Sequence, residues 1–307
     1  MREVIINKND ANQRLDKFLT KYMPSLPQSM LYKSLRKKCV RVNSKHVTDG
    51  AYILNDGDVL RLYMNDDFFS NDNKNIIPTP LPQPQIIYED ENIIIADKSV
   101  GVVVHSDETE ADNTLINQIR YYLYKKGEYL PQQEHSFAPS LCNRLDKNTS
   151  GLIIAAKNAT SLRIINEKIK NREIKKYYLC AVEGTPPREA ILTAYLERKD
   201  KHVVVTNEKT KNSKPIKTGY RVLNSNGKFS ILEVELFTGR THQIRAHLSH
   251  IGHPLLGDVK YGAKEIKNSY HQLHSYKLKF DFKTDCGILN YLNGKEFVSQ
   301  KNIDFHI

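Results

Sequence analysis

The sequence is poor in the residues that build metal clips and in the apolar runs that cross membranes. Among 307 residues there are four cysteines, Cys39, Cys142, Cys180 and Cys286, all far apart. None forms a C-x-x-C pair, so the spacing signals neither a zinc ribbon nor a redox dithiol. Free thiols in a reducing cytosol fit this usage, with Cys142 read as a small buried residue. The opening Met1-Arg2-Glu3-Val4 has no apolar stretch of the signal-peptide type, and no run reaches the ~20 apolar residues of a membrane span. No internal repeat is visible. A cytoplasmic, water-soluble chain without a membrane partner is expected.

What the chain has in excess is positive charge. Lysine and arginine number 46 against 35 acidic residues, a net charge of +11, with an isoelectric point near 9.3. A polyanion suits such a balance, because each cation that meets a phosphate releases a counterion. A generally basic soluble protein is the alternative. The length suggests two domains, one small and one large.

Leu15, Phe18, Leu19 and Tyr22 follow the i, i+3, i+4, i+7 spacing of a one-sided helix, closed by Pro24 and Pro27. A second helix is predicted from about Gln28, with Met30, Leu31, Ser34 and Leu35 inward and Lys33, Arg36, Lys37 and Lys38 outward. Short strands follow at Val40–Val42 and His46-Val47 around the turn 43–45. Asn55-Asp56-Gly57-Asp58 is a turn, and 59–62 a closing strand. Lys33, Arg36, Lys37 and Lys38, with Arg41 and Lys45 nearby, can straddle phosphates; a solvated helix face is the plainer alternative. Residues 65–85, with prolines at 78, 80, 82 and 84, read as an extended linker between a small domain (1–64) and a large one (86–307).

In the large domain, 86–98 reads as strand, acidic turn, strand. Helices are expected near Thr114–Tyr124 and Ser161–Asn171, and strands at 176–182, around 231–237 and at 273–278. Strands broken by a few helices, without regular βαβ alternation, argue an α+β fold with a largely antiparallel sheet. The densest chemistry lies in Asn143-Arg144-Leu145-Asp146-Lys147-Asn148-Thr149-Ser150-Gly151, just before the apolar strand 152–156. A carboxylate on a loop held by a strand is both supported and exposed. Taken alone, the run could equally be an Asx-turn with a neighbouring arginine as its ion-pair partner.

Motifs along the chain settle on one resemblance. The run 144–151 resembles the R-L-D-x-x-T-S-G signature of RluA-type pseudouridine synthases. The stretch 88–105 is similar to that family's Y-E-D…K-P-x-G-x-v-v-H opening, with Ser99 in place of proline. Gly239-Arg240-Thr241-His242-Gln243-Ile244-Arg245-Ala246-His247 looks like its G-R-T-H-Q-I-R-x-H motif. Pro254-Leu255-Leu256-Gly257-Asp258…Tyr261-Gly262 and Gln272-Leu273-His274 look like its H-P-x-x-G-D-x-x-Y-G and Q-x-L-H-A segments. Residues 12–63 resemble the S4 RNA-binding domain, an α/β module, and 27–43 are especially similar to the RluC branch.

The resemblance implies an isomerase that turns uridine into pseudouridine. The ribose C1′–N1 bond breaks and a C1′–C5 bond forms; no redox change occurs, so no cofactor is called for. It makes Asp146 the catalytic residue, either as a nucleophile holding C1′ or through a glycal-type intermediate. It makes Arg245 the ion-pair partner of Asp146 and Tyr178 the active-site tyrosine, stacking on uracil near C5. Arg144 either pairs with Asp146, whose face it shares on a strand-like path, or enters the RNA in place of the extracted base. Asn143 stands where the family commonly has histidine, and keeps hydrogen-bonding capacity. It is read with Arg144, Arg240, His242 and Gln243 as substrate-binding.

His242, His247, His250 and His253 could suggest zinc, but the motif implies no metal. A glycoside hydrolase would want a second carboxylate opposite Asp146, and the sequence does not place Asp258 there. A non-catalytic ribosome-assembly protein is the remaining rival. Large-subunit (23S) ribosomal RNA is the expected substrate, with transfer RNA the alternative. A monomer with no obligate protein partner is expected.

Overall fold

A computed structural model describes residues 1–69, 80–106, 110–199, 202–266 and 270–301. The N-terminal module runs β1 (Arg2–Ile5), α1 (Leu15–Tyr22), α2 (Gln28–Arg36), β2 (Val40–Val42), β3 (Lys45–His46) and β4 (Val59–Leu62). The order β1-β4-β2-β3 makes one antiparallel sheet. Leu15, Phe18 and Leu19 of α1 and Leu31 and Leu35 of α2 bury the predicted stripes against it. Met30, expected inward, is 42% exposed, because the nine-residue α2 turns only Leu31 and Leu35 into the core. β1 had no expectation.

The expected linker is shorter at both ends. Phe68 and Phe69 pack on the module core, Phe69 against Tyr22 with ring centroids 6.1 Å apart; two aromatic rings bury too much apolar surface to be left in solvent. At the other end the Gln85 carbonyl accepts from Asp97 N at 2.8 Å. Residues 70–79, including Pro78, lie outside the described residues.

The large domain contains β5 (Ile86–Glu89), β6 (Ile93–Lys98), α3 (Leu115–Lys125), β7 (Ser140–Leu141), β8 (Ser150–Ala156), α4 (Ala159–Lys170) and β9 (Ile174–Glu183). It continues with β10 (Glu189–Lys199), β11 (His202–Thr206), β12 (Lys214–Ser225), β13 (Phe229–Leu236), α5 (Gln243–His250), β14 (Leu273–Phe280) and β15 (Glu296–Val298). One mixed sheet orders them β11-β10-β12-β13-β9-β14-β8-β6-β5, with β15 on β14 and β7 on β8. Among the described strands every pairing is antiparallel except β14 with β8. The α+β class and largely antiparallel sheet follow the expectation.

Alternation along β6 and β8 splits the core between the two sheet faces. Ile94, Ile153 and Ala155 join the cluster that contains α3 and α5, while Ile93, Ile95, Leu152 and Ile154 join that of α4 and the C-terminal strands. α3 and α4 each start at a side-chain cap: Thr114 accepts from Asn117 N, and Asn158 from Ser161 N. The second cap starts α4 at Ala159, two residues earlier than expected.

β14 is the strand that assembles the site. It lies between β8 and β9, so Ser275 sits beside Gly151 on one side and Tyr178 on the other. Gly151 has φ +113°, and a Cβ there would lie 2.2 Å from the Ser275 carbonyl oxygen. Only glycine lets the two backbones approach this closely.

The N-terminal module contacts the large domain through polar groups. Ser136 donates to Asp10 Oδ1 from its amide (3.0 Å) and its hydroxyl (2.6 Å), and Ala159 N donates to Asn9 Oδ1 at 3.2 Å.

Candidate active site

The loop 143–149 enters β8 with its anchors buried. Leu145 is in the core, which stabilises the loop by about 2 kcal/mol. Thr149 donates its amide hydrogen to the Asp146 carbonyl (3.0 Å), and its hydroxyl meets His271 Nε2 at 2.8 Å. Burial pulls His271 down to about 4, so it is neutral at pH 7. Behind the loop the Lys98 ammonium donates to the carbonyls of Ser99, Val102 and Lys147 at 2.8–3.0 Å. Burial lowers Lys98 to about 7, against the pull of Asp146. These bonds hold the Asp146 side chain, 29% exposed, at the mouth of a cavity.

Arg245, in the first turn of α5, reaches Asp146 Oδ2 through Nη1 at 3.1 Å. Its other side is held by Asp258, with Nε and Nη2 donating to Oδ2 and Oδ1 at 2.7 and 2.8 Å. Burial acts to lower the Arg245 pKa, but the two carboxylates outweigh it and hold the guanidinium above its ordinary value. The Tyr261 ring lies under this guanidinium, 5.0 Å from Cζ, and its hydroxyl meets His242 Nδ1 at 2.7 Å. The other ring nitrogen of His242, Nε2, lies 3.6 Å from Asp146 Oδ2. His242 adopts φ +52° at the start of α5.

Tyr178 lies on β9 inside the same cavity, about 550 Å³ in volume. It is 5% exposed. Burial raises its phenol to about 12, against a hydrogen bond from Ser275. Tyr177 points elsewhere, under the Lys277 ammonium at 4.3 Å. Arg144, His105 and Leu273 complete the rim. One cavity therefore presents a loop carboxylate paired to a fixed guanidinium, an enclosed phenol and a flanking arginine. Such a set can hold an electrophilic carbon against Asp146 and a flat ring against Tyr178.

The profile of RNA pseudouridylate synthases matches residues 92–250, which span this site. The chain belongs to the RNA pseudouridylate synthase family. It is an isomerase of uridine in RNA, and residues 13–60 match the S4 domain. An RNA pseudouridine synthase of Mycoplasma capricolum subsp. capricolum, described as uncharacterized, is 34% identical over 99% of both chains. The ribosomal large subunit pseudouridine synthase C of Buchnera aphidicola subsp. Acyrthosiphon pisum is 29% identical over 94% of this chain and 96% of its own. In fold, the chain is similar to human RNA pseudouridylate synthase domain containing 1, with a TM-score of 0.57 at 23% identity over 73% of this chain and 86% of that one.

Several expected substrate contacts in this synthase sit differently. Gln243 is 2% exposed. Its Oε1 accepts from Thr238 Oγ1 and Arg240 N, and its Nε2 donates to Lys217 O and Thr218 Oγ1. An amide with all four bonds made inside the protein fixes the loop and has nothing left for substrate. Asn143 accepts from Ile154 N at 2.8 Å, which ties it to β8 at the cavity edge. Arg144 is exposed and makes no ion pair with Asp146 among the described residues, because the chain at 144–146 is not a strand. Arg240 is exposed on the cavity wall. The four histidines of 242–253 disperse: His247 meets Thr218, His250 meets Asn207 and His253 meets the Glu183 carbonyl.

In the S4 domain, Lys33, Arg36, Lys37, Lys38 and Lys45 are exposed. Arg41 stacks over Tyr63 at 5.2 Å. Cys142 packs against the α4-side core, and burial raises its thiol to about 12, which leaves it inert. No helix among the described residues is long and apolar enough to cross a membrane.

The roles of Asp258, Tyr261, Lys98 and His271 were not read from the sequence. Asp258 and Tyr261 stand in the G-D-x-x-Y-G segment, so the signal was present without an assigned partner.

Proposed function

We propose that this synthase converts specific uridines of 23S ribosomal RNA to pseudouridine, with Asp146 acting at ribose C1′. The observation that carries the reading is the Asp146–Arg245–Asp258 chain of charge-assisted hydrogen bonds beside Tyr178 in one cavity. The substrate class is supported by the S4 domain and by the near full-length match to a large-subunit synthase.

In this reading the target uridine leaves its stack, at a cost of a few kcal/mol or less in a loop, and Arg144 takes its place in the RNA. Uracil lies against the Tyr178 ring. Arg245 and His242 orient the Asp146 carboxylate toward C1′ as the C1′–N1 bond breaks. The detached base turns within the cavity and rejoins through C5. C5 then loses its hydrogen as a proton and N1 gains one, so the atoms balance without oxidant or reductant. Tyr178, neutral at pH 7, contributes its ring face and a hydrogen-bonding hydroxyl rather than a phenolate. Lys33, Arg36, Lys37, Lys38, Arg41 and Lys45 of the S4 domain hold the surrounding RNA backbone. The protein acts as a cytoplasmic monomer.

The test uses large-subunit ribosomal RNA transcripts tritiated at uridine C5. Tritium release by the native protein and none by Asp146→Ala, with pseudouridines mapped chemically, is the expected result. Release from transfer RNA alone would move the substrate; no release from either RNA or from pre-ribosomes would refute catalysis.

A further inference from the structure

A second cavity, which the isomerisation does not use, adjoins the first. It encloses about 430 Å³ between the end of α4, the start of β9 and the loop from β13 to α5. The two share Ile169, Lys176, Leu236, Gly239 and Arg240, so Lys176 stands in the wall between them. The second cavity is strongly basic: Lys170, Arg172, Lys175, Lys176 and Arg240 line it against a single carboxylate, Glu235. Lys175 is already paired with Asp281 at 3.0 Å.

Lys176 is the unexplained group. Its Nζ has no hydrogen-bond or ion-pair partner among the described residues, and no neighbouring carboxylate offsets its burial, which lowers its pKa. The loop passes beside this ammonium at Gly239, where a Cβ would lie 3.6 Å from Nζ, in ordinary van der Waals contact. An enclosed ammonium without a counterion costs free energy, and an anion seated beside it would remove that cost. Phe237, on the same wall, is part-buried, with the Lys217 ammonium 4.9 Å from its ring centroid.

We propose that this cavity is the subsite for the nucleotide adjoining the target uridine, with Lys176 holding the phosphate that links the two. Phe237 stacks on the neighbouring base, and Lys170 and Arg172 at the rim meet the next phosphate. The inference rests on the reading that the larger cavity takes the uridine. Ligand sites of a few hundred Å³ are ordinary in size, and a cation between two base-sized spaces is what a single RNA strand requires.

The test is filter binding of a large-subunit ribosomal RNA transcript across a salt series, with tritium release measured alongside. Lys176→Gln should make the slope of log affinity against log salt shallower by about 0.7, the contribution of one single-strand phosphate. It should raise KM about tenfold and lower kcat by less; Lys176→Arg should restore the slope. Phe237→Ala should weaken binding about tenfold with the slope kept, because stacking carries no charge. A folded Lys176→Gln protein with the native slope would overturn the proposal. If that variant fails to fold, Lys170→Gln/Arg172→Gln decides, since a native slope there would overturn it equally. Should the native protein release no tritium from any RNA, the uridine reading fails, while the binding slopes still decide the subsite.

Discussion

Asp258 grips Arg245 with both carboxylate oxygens, at 2.7 and 2.8 Å, and leaves only Nη1 to meet Asp146. The orientation of the Arg245 fork is thus set from behind, by a carboxylate 2% exposed. Asp258→Ala strands a buried guanidinium, so a stability loss of about 3–5 kcal/mol is expected in urea unfolding. Arg245→Lys keeps a charge but cannot bind two carboxylates in one plane. Its tritium release should fall about 100-fold, with a smaller loss of stability. Near-native turnover in Arg245→Lys would show that the fork geometry is unimportant.

Tyr178 provides a pH test. Its phenol is raised to about 12, two units above the ordinary value of 10, so it stays protonated in the folded enzyme from pH 6 to pH 10. A phenolate base would make the rate climb about tenfold per pH unit over that range. We expect turnover to show no such climb between pH 7 and pH 9. Tyr178→Phe should cut kcat by roughly 100-fold, the usual scale for a positioned proton-handling group. A tenfold-per-unit rise that disappears in Tyr178→Phe would assign the phenolate instead.

Asp10 is fully buried where the small module meets Ser136, and its Oδ2 has no hydrogen-bond partner among the described residues. Burial raises its pKa above the ordinary 3.8, against the bonds from Ser136. A raised carboxyl pKa favours the folded state when protonated. That contribution is complete below pH 3.8 and is lost as pH rises through the folded value. Asp10→Asn keeps an acceptor for Ser136 without the charge. Its thermal midpoint should exceed the native one by about 2 °C or more at pH 7.5, and the gap should shrink toward pH 4. A gap that widens on acidification would contradict this.

Gly151→Ala places a methyl group into the backbone of Ser275 at a φ that side chains rarely adopt. The cost should be about 3 kcal/mol or more. Reduced solubility and lost activity are expected together, read by circular dichroism and tritium release. A native melting curve would mean that β14 can shift away at little cost.

The sequence made legible what local periodicity carries. Leu15, Phe18 and Leu19 marked α1, and the apolar run 152–156 marked β8, because each buries a regular face. The β10–β12 region gave no comparable signal. Along β10, 189–193 alternate between exposed and half-buried and only Ala194 and Leu196 are buried, so its apolar residues do not stand out. In the site, Asp146, Arg245 and Tyr178 were marked by motifs, and the structure brings all three to one cavity. The Asp258–Arg245 grip was hidden because it joins a helix to a loop 13 residues on, a pairing that no helical or strand period encodes. Gln243 misled for a related reason: whether a motif amide faces solvent or its own loop depends on Thr218 and Lys217, on a distant strand.

The place of β14 between β8 and β9 has a consequence for synthesis of the chain. The loop carrying Asp146 and the strand carrying Tyr178 are both made before β14, yet they are separated in the sheet by residues 273–280. During translation the two are therefore joined through the sheet only after β14 has been made. A chain ending before Leu273 has both reacting side chains but no strand between them, so the wall of the site is complete only once β14 is in place.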